Sequence, residues 1–92
     1  MILSFKHKGL AAFFQTGSTA GIQAIHAHRL RLILGRLNAA TSPQDMKLPG
    51  LRLHELLGDR AGTWSVSVSG NWRVTFAFVG EDAEAVNYEN YH

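Results

Sequence analysis

The first half of the chain carries apolar residues at the spacing of an α-helix. Leu10, Phe13 and Phe14 predict a short first helix, which is ended by the Thr-Gly-Ser segment at 16–18. From Ile22 onward, a second apolar stripe predicts a longer helix that is apolar on one face and basic elsewhere. The further members of that stripe are Ile25, Leu30, Ile33, Leu34 and Leu37. Two helices of unequal length are therefore expected in the first half.

The second half changes from helical spacing to an alternation of apolar and polar residues. Breaker clusters at 41–45 and 49–50 separate the two patterns, and the Gly-flanked segment 58–62 predicts a polar turn. Strands are predicted at 51–56, 64–69, 72–78 and roughly 83–89, with a further short strand at 1–5. The second half is therefore expected to form a sheet.

The hairpin between the strands at 64–69 and 72–78 has two possible registers. A two-residue turn would mix polar and apolar side chains on both faces, because cross-strand partners point to the same side of a sheet. A three-residue loop at 69–71 pairs Val68 with Trp72 and Val66 with Val74, and we prefer it, with Gly70 or Asn71 left-handed in a bulge. This register gathers polar side chains on the face opposite the apolar one: Ser65, Ser67, Arg73 and Thr75.

Composition narrows the functional classes only moderately. The 92 residues predict one small domain over 1–92, and the chain has no cysteine and no candidate membrane segment, so a cytoplasmic protein is expected. The formal net charge of +2 is too small to diagnose a nucleic-acid partner. Six of the nine basic residues are arginine, which suits bidentate contacts to phosphate.

Two histidines carry the most specific chemical signal. His54 lies in the predicted strand at 51–56 and His92 is the last residue of the sequence. With an arginine such as Arg73, two imidazoles can cleave RNA without metal or cofactor, because one accepts a proton while the other donates one. The alternatives are a half-buried structural His54 and a frayed chain end. His26 and His28 do not predict a metal site, since residues two apart on a helix point in different directions.

Several short motifs together resemble one protein family over nearly the whole chain. They are Ser4 to Leu10, Leu53-His54 with Leu56, Gly58-Asp59-Arg60, Trp64-Ser65, Asn71-Trp72-Arg73 with Thr75-Phe76, and Asn87-Tyr88-Glu89 leading to Tyr91-His92. With these motifs the chain resembles the HigB toxins of bacterial HigBA toxin-antitoxin modules, the plasmid-maintenance killer group of the RelE superfamily.

The resemblance implies a fold and an activity. The fold is α+β, with two N-terminal helices packed on a curved, mainly antiparallel sheet, as in RelE-like and microbial ribonucleases. The activity is that of a type II toxin, a ribosome-dependent endoribonuclease that cuts messenger RNA without metal or cofactor and so inhibits translation. The implied catalytic residues are His54, Arg73, Tyr91 and His92, and the expected RNA contacts are Arg52, Arg60, Asn71 and Asn90.

This sequence departs from the family pattern at two positions. Asn90 stands where the family usually has aspartate, and Leu57 stands where it often has lysine. Asn90 can form hydrogen bonds but cannot raise the pKa of a neighbouring imidazole, and Leu57 cannot contact phosphate. Arg60 or Arg52 is the expected source of the missing positive charge.

The resemblance also implies partners. These are messenger RNA in the ribosomal A site and a helix-turn-helix antitoxin similar to HigA, with room for a higher-order toxin-antitoxin complex. The alternative function is a non-catalytic toxin, as in the gyrase-poisoning branch of the superfamily, or a ribosome- or RNA-binding module on the same scaffold.

Overall fold

The computed structural model describes residues 1–91, and His92 lies outside this range. Helices α1 (Lys8–Thr16) and α2 (Ala27–Ala39) precede an antiparallel sheet of four strands in the order β1-β2-β3-β4. The strands are β1 (His54–Glu55), β2 (Trp64–Ser69), β3 (Trp72–Val79) and β4 (Asp82–Asn90). The predicted α+β class is confirmed. Within the described range, no helix has the length and apolar character needed to cross a membrane.

Helix α1 forms where the apolar spacing predicts it. The ring Nδ1 of His7 caps its first turn by accepting the backbone N–H of Leu10 at 3.0 Å. Gly17 ends the helix in the left-handed region, with φ 81°, and donates its N–H to the carbonyl of Phe13 at 2.8 Å. Leu10 and Phe13 face the core, whereas Phe14 lies at the surface.

Helix α2 begins later than the apolar stripe predicts. The segment Ala24–His26 is a 3-10 turn, and the α-helix follows from Ala27. A 3-10 turn has three residues per turn instead of 3.6, so it rotates side chains out of the helical stripe. Ile25 is therefore 88% exposed, and its predicted place on the buried face is wrong. The buried residue of this turn is His26.

Two predicted strands are much shorter in the structure. Of the segment 51–56 only His54–Glu55 forms a strand, because Arg52 has φ 52°, which breaks the extended backbone. The segment 1–5 makes only two isolated parallel bridges to β4, through Ile2 and Phe5. Both predictions of full strands are wrong, although both segments lie beside the sheet.

The β2–β3 hairpin combines the preferred register with a bulge. Val66 pairs with Val74 as predicted, but Ser69 rather than Val68 pairs with Trp72. The predicted pairing of Val68 with Trp72 is therefore wrong, since Val68 is the extra residue of a bulge between Ser67 and Ser69. Gly70 takes the left-handed conformation expected in this turn, with φ 55°.

The core lies between the helices and one face of the sheet. It joins apolar residues of α1, α2 and the strands into one cluster, which includes Leu10, Leu30, Ile33, Leu37, Val66, Val74, Phe76 and Val86. The alternate residues of β2 and β3 therefore point to the opposite face. That face carries the polar side chains of the second half, including Ser65, Arg73 and Thr75.

Candidate active site

Strand register sets two polar rows on the sheet face opposite the helices. One row consists of His54, Ser65, Thr75 and Asn87, and the other of Ser67, Arg73 and Glu89. Since cross-strand partners share a face, His54 and Arg73 lie on the same side of the sheet. The predicted grouping of Ser65, Ser67, Arg73 and Thr75 is confirmed. Ser65 and Thr75 are almost completely buried, so this face is covered at its middle.

His54 stands exposed at one edge of the polar face. Its ring Nδ1 lies 3.1 Å from the carbonyl oxygen of Arg52. A carbonyl only accepts hydrogen bonds, so Nδ1 must carry the hydrogen in this contact. In the neutral ring the lone pair is then on Nε2, which is free to accept a proton. The residue that supplies this carbonyl, Arg52, has a left-handed backbone with φ 52°.

Arg73 and Tyr91 form a second part of the face. The Nη1 group of Arg73 donates to the carbonyl oxygens of Gly70 at 2.7 Å and Trp72 at 3.1 Å. The Cζ of Arg73 lies 5.7 Å from the centroid of the Tyr91 ring, a cation-π distance. Tyr91 is held there by its backbone N–H, which donates to the carbonyl of Asn71 at 2.8 Å. Within residues 1–91, every hydrogen bond of the Arg73 side chain comes from Nη1.

A carboxylate that the sequence reasoning did not assign to the site lies beside Arg73. Glu89 is the cross-strand partner of Arg73 and receives a bidentate ion pair from Arg60, at 3.1 and 2.8 Å. The hydroxyl of Thr75 also donates to this carboxylate. The ion pair with Arg60 and the bond from Thr75 hold the pKa of Glu89 below its ordinary value, and burial opposes them. Glu89 lies two residues before Tyr91, and this strand-like spacing is the sequence signal that could have identified Glu89 as a site residue.

The structure brings some of the predicted site residues together and separates others. Arg60 is held at the polar face by its ion pair with Glu89. This ion pair is the largest cause of the raised pKa of Arg60, and Tyr91 contributes a smaller effect. Arg52 and Asn71 are exposed, next to His54 and Tyr91 respectively. Asn90 pairs with Trp72, which places it on the helix side of the sheet. The predicted role of His92 falls outside the described residues.

The charges around Glu89 favour an anion. Arg60 and Arg73 lie beside it, and Lys6 is close enough to lower its pKa further. Two cations that act on one carboxylate, with a third on the neighbouring strand, leave an excess of positive charge, which suits a phosphate group. The face therefore offers an imidazole for proton transfer and guanidiniums for charge stabilisation. Among residues 1–91, no group of three or more His, Cys, Asp or Glu side chains is arranged to hold a metal ion.

Known proteins agree with the resemblance drawn from the motifs. A family model described as the RelE-like toxin of the type II toxin-antitoxin system HigB matches residues 3–92. The protein named endoribonuclease HigB from Proteus vulgaris is 45% identical over 92 residues, which is 100% of each chain. The predicted family is confirmed: this chain belongs to the HigB-like toxins, the RelE-like toxins of type II toxin-antitoxin systems.

Proposed function

We propose that the chain is an endoribonuclease that cuts messenger RNA and that its active site is the polar face of the sheet. One observation carries this proposal: His54, with a free Nε2, shares a sheet face with Arg73, whose Nη2 and Nε have no hydrogen-bond partner within residues 1–91. An acid-base group and a phosphate-binding group on one surface are what RNA cleavage needs. The name of the Proteus vulgaris relative supports the same activity.

The proposed reaction uses the 2′-hydroxyl of the RNA as nucleophile. A base removes the proton of this hydroxyl, and the oxygen attacks the adjacent phosphorus. The bond from phosphorus to the 5′-oxygen of the next nucleotide then breaks, and an acid protonates that oxygen. The products are a 2′,3′-cyclic phosphate and a 5′-hydroxyl, and no covalent enzyme intermediate forms.

Each candidate residue has one role in this reaction. His54 and His92 exchange the two protons, one as base and the other as acid, and the assignment between them stays open. Arg73 stabilises the negative charge that develops on the phosphorane, and Tyr91 stacks on or orients a nucleotide. Arg52, next to His54, and Asn71, next to Tyr91, contact the RNA on either side of the reacting phosphate. The role of His92 rests on the sequence.

The cellular setting follows from the family. We propose that cleavage takes place in the ribosomal A site and stops translation. Asn90, exposed at the end of β4 on the helix side of the sheet, contacts RNA outside the polar face in this proposal. A helix-turn-helix antitoxin similar to HigA neutralises the toxin, in a complex that can be of higher order. Membership in a type II toxin-antitoxin family supports an antitoxin partner of this general kind.

The test is mapping of transcript 5′ ends after brief expression of the protein. Wild type should produce new 5′-hydroxyl ends within open reading frames, and His54→Ala or deletion of His92 should abolish them. His28→Ala is the matched control, because His28 is also an exposed histidine but lies on α2. Its pattern of ends should equal that of wild type.

Two results would overturn parts of the proposal. New ends that persist in the His54→Ala variant contradict the acid-base mechanism. Toxicity of wild type without any new ends contradicts the nuclease and favours a non-catalytic toxin on this scaffold.

A further inference from the structure

We propose that Glu89 is a positioning residue that fixes Arg60 over the polar face, so that a second guanidinium lies at Tyr91 when RNA is cut. The inference rests on the proposed nuclease function and adds a residue to its machinery. Glu89 itself does not exchange protons with the substrate in this proposal.

Arg60 needs an anchor because the hydrogen bonds of its loop hold the backbone but do not fix the direction of its long side chain. It ends the 3-10 turn Gly58–Arg60 in the loop between β1 and β2, with left-handed glycines on both sides, Gly58 at φ 72° and Gly62 at φ 93°. The N–H of Thr63 donates to the carbonyl of Arg60 at 3.0 Å, and the N–H of Gly62 donates to the carboxylate of Glu55 at 3.0 Å. These bonds hold the backbone and leave the guanidinium to be placed by its own partner. The ion pair with Glu89, 29 residues away, is the long-range hydrogen-bonded contact of the Arg60 side chain within residues 1–91.

Glu89 is well suited to be that anchor. It lies within the hydrogen-bonded part of β4, and the hydroxyl of Thr75 on β3 holds its carboxylate in place. The side chain of Glu89 is only 20% exposed, and that of Arg60 is 43% exposed. A bidentate pair with one shielded partner keeps its geometry better than a fully exposed pair, since the fork of the guanidinium matches the carboxylate.

The ion pair joins residues that come from opposite edges of the sheet. Arg60 belongs to the loop that follows β1 at one edge, whereas Glu89 is on β4 at the other edge. An arginine side chain is shorter than the three strand spacings, of about 4.8 Å each, between these edges. The loop that carries Arg60 must therefore fold over the polar face, where the buried hydroxyls of Ser65 and Thr75 lie. The same fold of the loop brings Arg60 near enough to Tyr91 for Tyr91 to raise the pKa of Arg60, after the larger effect of Glu89. The guanidinium of Arg73 lies over the ring of the same tyrosine. Glu89 thus determines where the second guanidinium of the site is.

The carboxylate does not cancel the field that it organises. Arg60 and Lys6 both lower the pKa of Glu89, and Arg73 is its cross-strand neighbour, so positive charges outnumber this carboxylate. Moving Arg60 away would remove a cation from the place where negative charge develops, which raises the barrier to cleavage. The ordering of Arg60 matters more for catalysis than the charge of Glu89 itself.

The first test is Glu89→Gln, which keeps the shape of the side chain but removes the charge that holds Arg60. We expect its cleavage rate on translating ribosomes to fall by about tenfold to a hundredfold, because misplacing a group that acts on the reacting phosphate has an effect of this size. Asp82→Asn is the matched control, because Asp82 also lies on β4 in an ion pair, with the N-terminal amine at 3.1 Å. It pairs with Val79, at the opposite end of β3 from Arg73, so its charge is remote from Arg73 and Glu89. The cleavage rate of Asp82→Asn should equal that of wild type. Rates are measured well below the melting temperature of each variant.

The second test separates positioning from stability. The double variant Glu89→Arg with Arg60→Glu can re-form the ion pair but puts a carboxylate at Tyr91. A melting temperature that recovers while cleavage stays low supports the proposal. Recovery of both would assign the pair a structural role only, and a Glu89→Gln variant as fast as wild type would overturn the inference by itself. Absence of cleavage by wild type would contradict the proposed nuclease instead.

Discussion

The carbonyl of Arg52 determines which nitrogen of His54 is available for chemistry. Because it accepts from Nδ1, the free Nε2 is directed away from that contact. His54 is exposed, so replacing it should cost little folding energy, within about 0.5 kcal/mol. We expect His54→Ala to lower the cleavage rate by about 10² to 10⁴-fold with an almost unchanged melting temperature. A loss of activity that only follows loss of folding would contradict this.

Glu89 makes a pH-dependent contribution to stability. The ion pair with Arg60 lowers the pKa of this carboxyl in the folded state, so the folded protein binds the proton less strongly than the unfolded chain. The resulting stabilisation is fully present above about pH 4.5, the ordinary pKa of a glutamate carboxyl. It is lost as pH falls through the folded-state pKa. Glu89→Gln should therefore unfold more easily at neutral pH, by about 1 kcal/mol.

Denaturant unfolding of wild type and Glu89→Gln at several pH values measures this contribution. The difference between the two free energies of unfolding should shrink as pH falls below about 4.5. Asp82→Asn serves again as the control, since its exposed ion pair should make a smaller difference. A difference for Glu89→Gln that stays constant down to acid pH would contradict the assigned role.

Among single residues, sequence reasoning found those with recognisable chemistry. His54, Arg73 and Tyr91 were predicted, because imidazole, guanidinium and a terminal aromatic motif stand out in the chain. In the sequence Glu89 stands only as part of the Asn87-Tyr88-Glu89 motif, because its proposed role depends on Arg60, a partner 29 residues away. A carboxylate on a strand has no distinguishing pattern until its contact is known.

At the scale of elements, two glycines illustrate how similar residues differ by context. Gly9 in α1 lies against Gly21, and a Cβ added to it would be 2.5 Å from the carbonyl oxygen of Gly21. Gly35 in α2 has nothing within 4 Å of the same position. The first glycine is therefore required by close packing of two backbone segments, and the second is not.

These contacts predict opposite effects of the same substitution. Gly9→Ala should destabilise the protein by about 2 kcal/mol or more, because backbone atoms must shift. Gly35→Ala should stabilise it by about 0.5 to 1 kcal/mol, since alanine has the higher helix propensity. Thermal and denaturant unfolding measure both changes, each variant acting as the control for the other. A stabilising Gly9→Ala would show that α1 and the following loop are not closely packed.

Element type was more predictable than element boundaries. Alternation in 64–69 and 72–78 is long enough to identify β2 and β3, and glycine at 17 identifies the end of α1. The prediction of a strand at 51–56 was wrong because one left-handed residue, Arg52, interrupts the extended backbone. The hairpin register was half right because a bulge at Val68 keeps that side chain buried while Ser69 takes the pairing position.

At the scale of the whole molecule, His26 joins the helical layer to the sheet. It is 7% exposed, and its Nδ1 shares a hydrogen bond with the hydroxyl of Tyr88 on β4. Its ring also lies edge-on to Trp72 at 5.6 Å, and Trp72 stacks on Tyr88 at 4.5 Å. This cluster connects the segment before α2 with β3, which carries Arg73, and with β4, which leads into Tyr91.

Burial of His26 predicts that mild acid weakens the fold. Burial lowers the pKa of this imidazole in the folded protein. Below about pH 6.5 the unfolded chain therefore binds a proton at His26 that the folded protein does not yet bind. The free energy of unfolding should therefore decrease as pH falls from neutral toward the folded-state pKa. His26→Gln should flatten this dependence, whereas His28→Gln, at an exposed position, should leave it unchanged. Equal slopes for wild type and His26→Gln would contradict the prediction.

The sequence by itself determined the helices, the two long central strands, the family and the residues with reactive side chains. These properties depend on local spacing and on residue chemistry, which are visible along the chain. Only the tertiary structure decided that Ile25 is outside the core while His26 is within it, that Asn90 lies on the helix side, and that Glu89 holds Arg60. Such contacts join residues far apart in sequence, and a single bulge or 3-10 turn changes which of them meet.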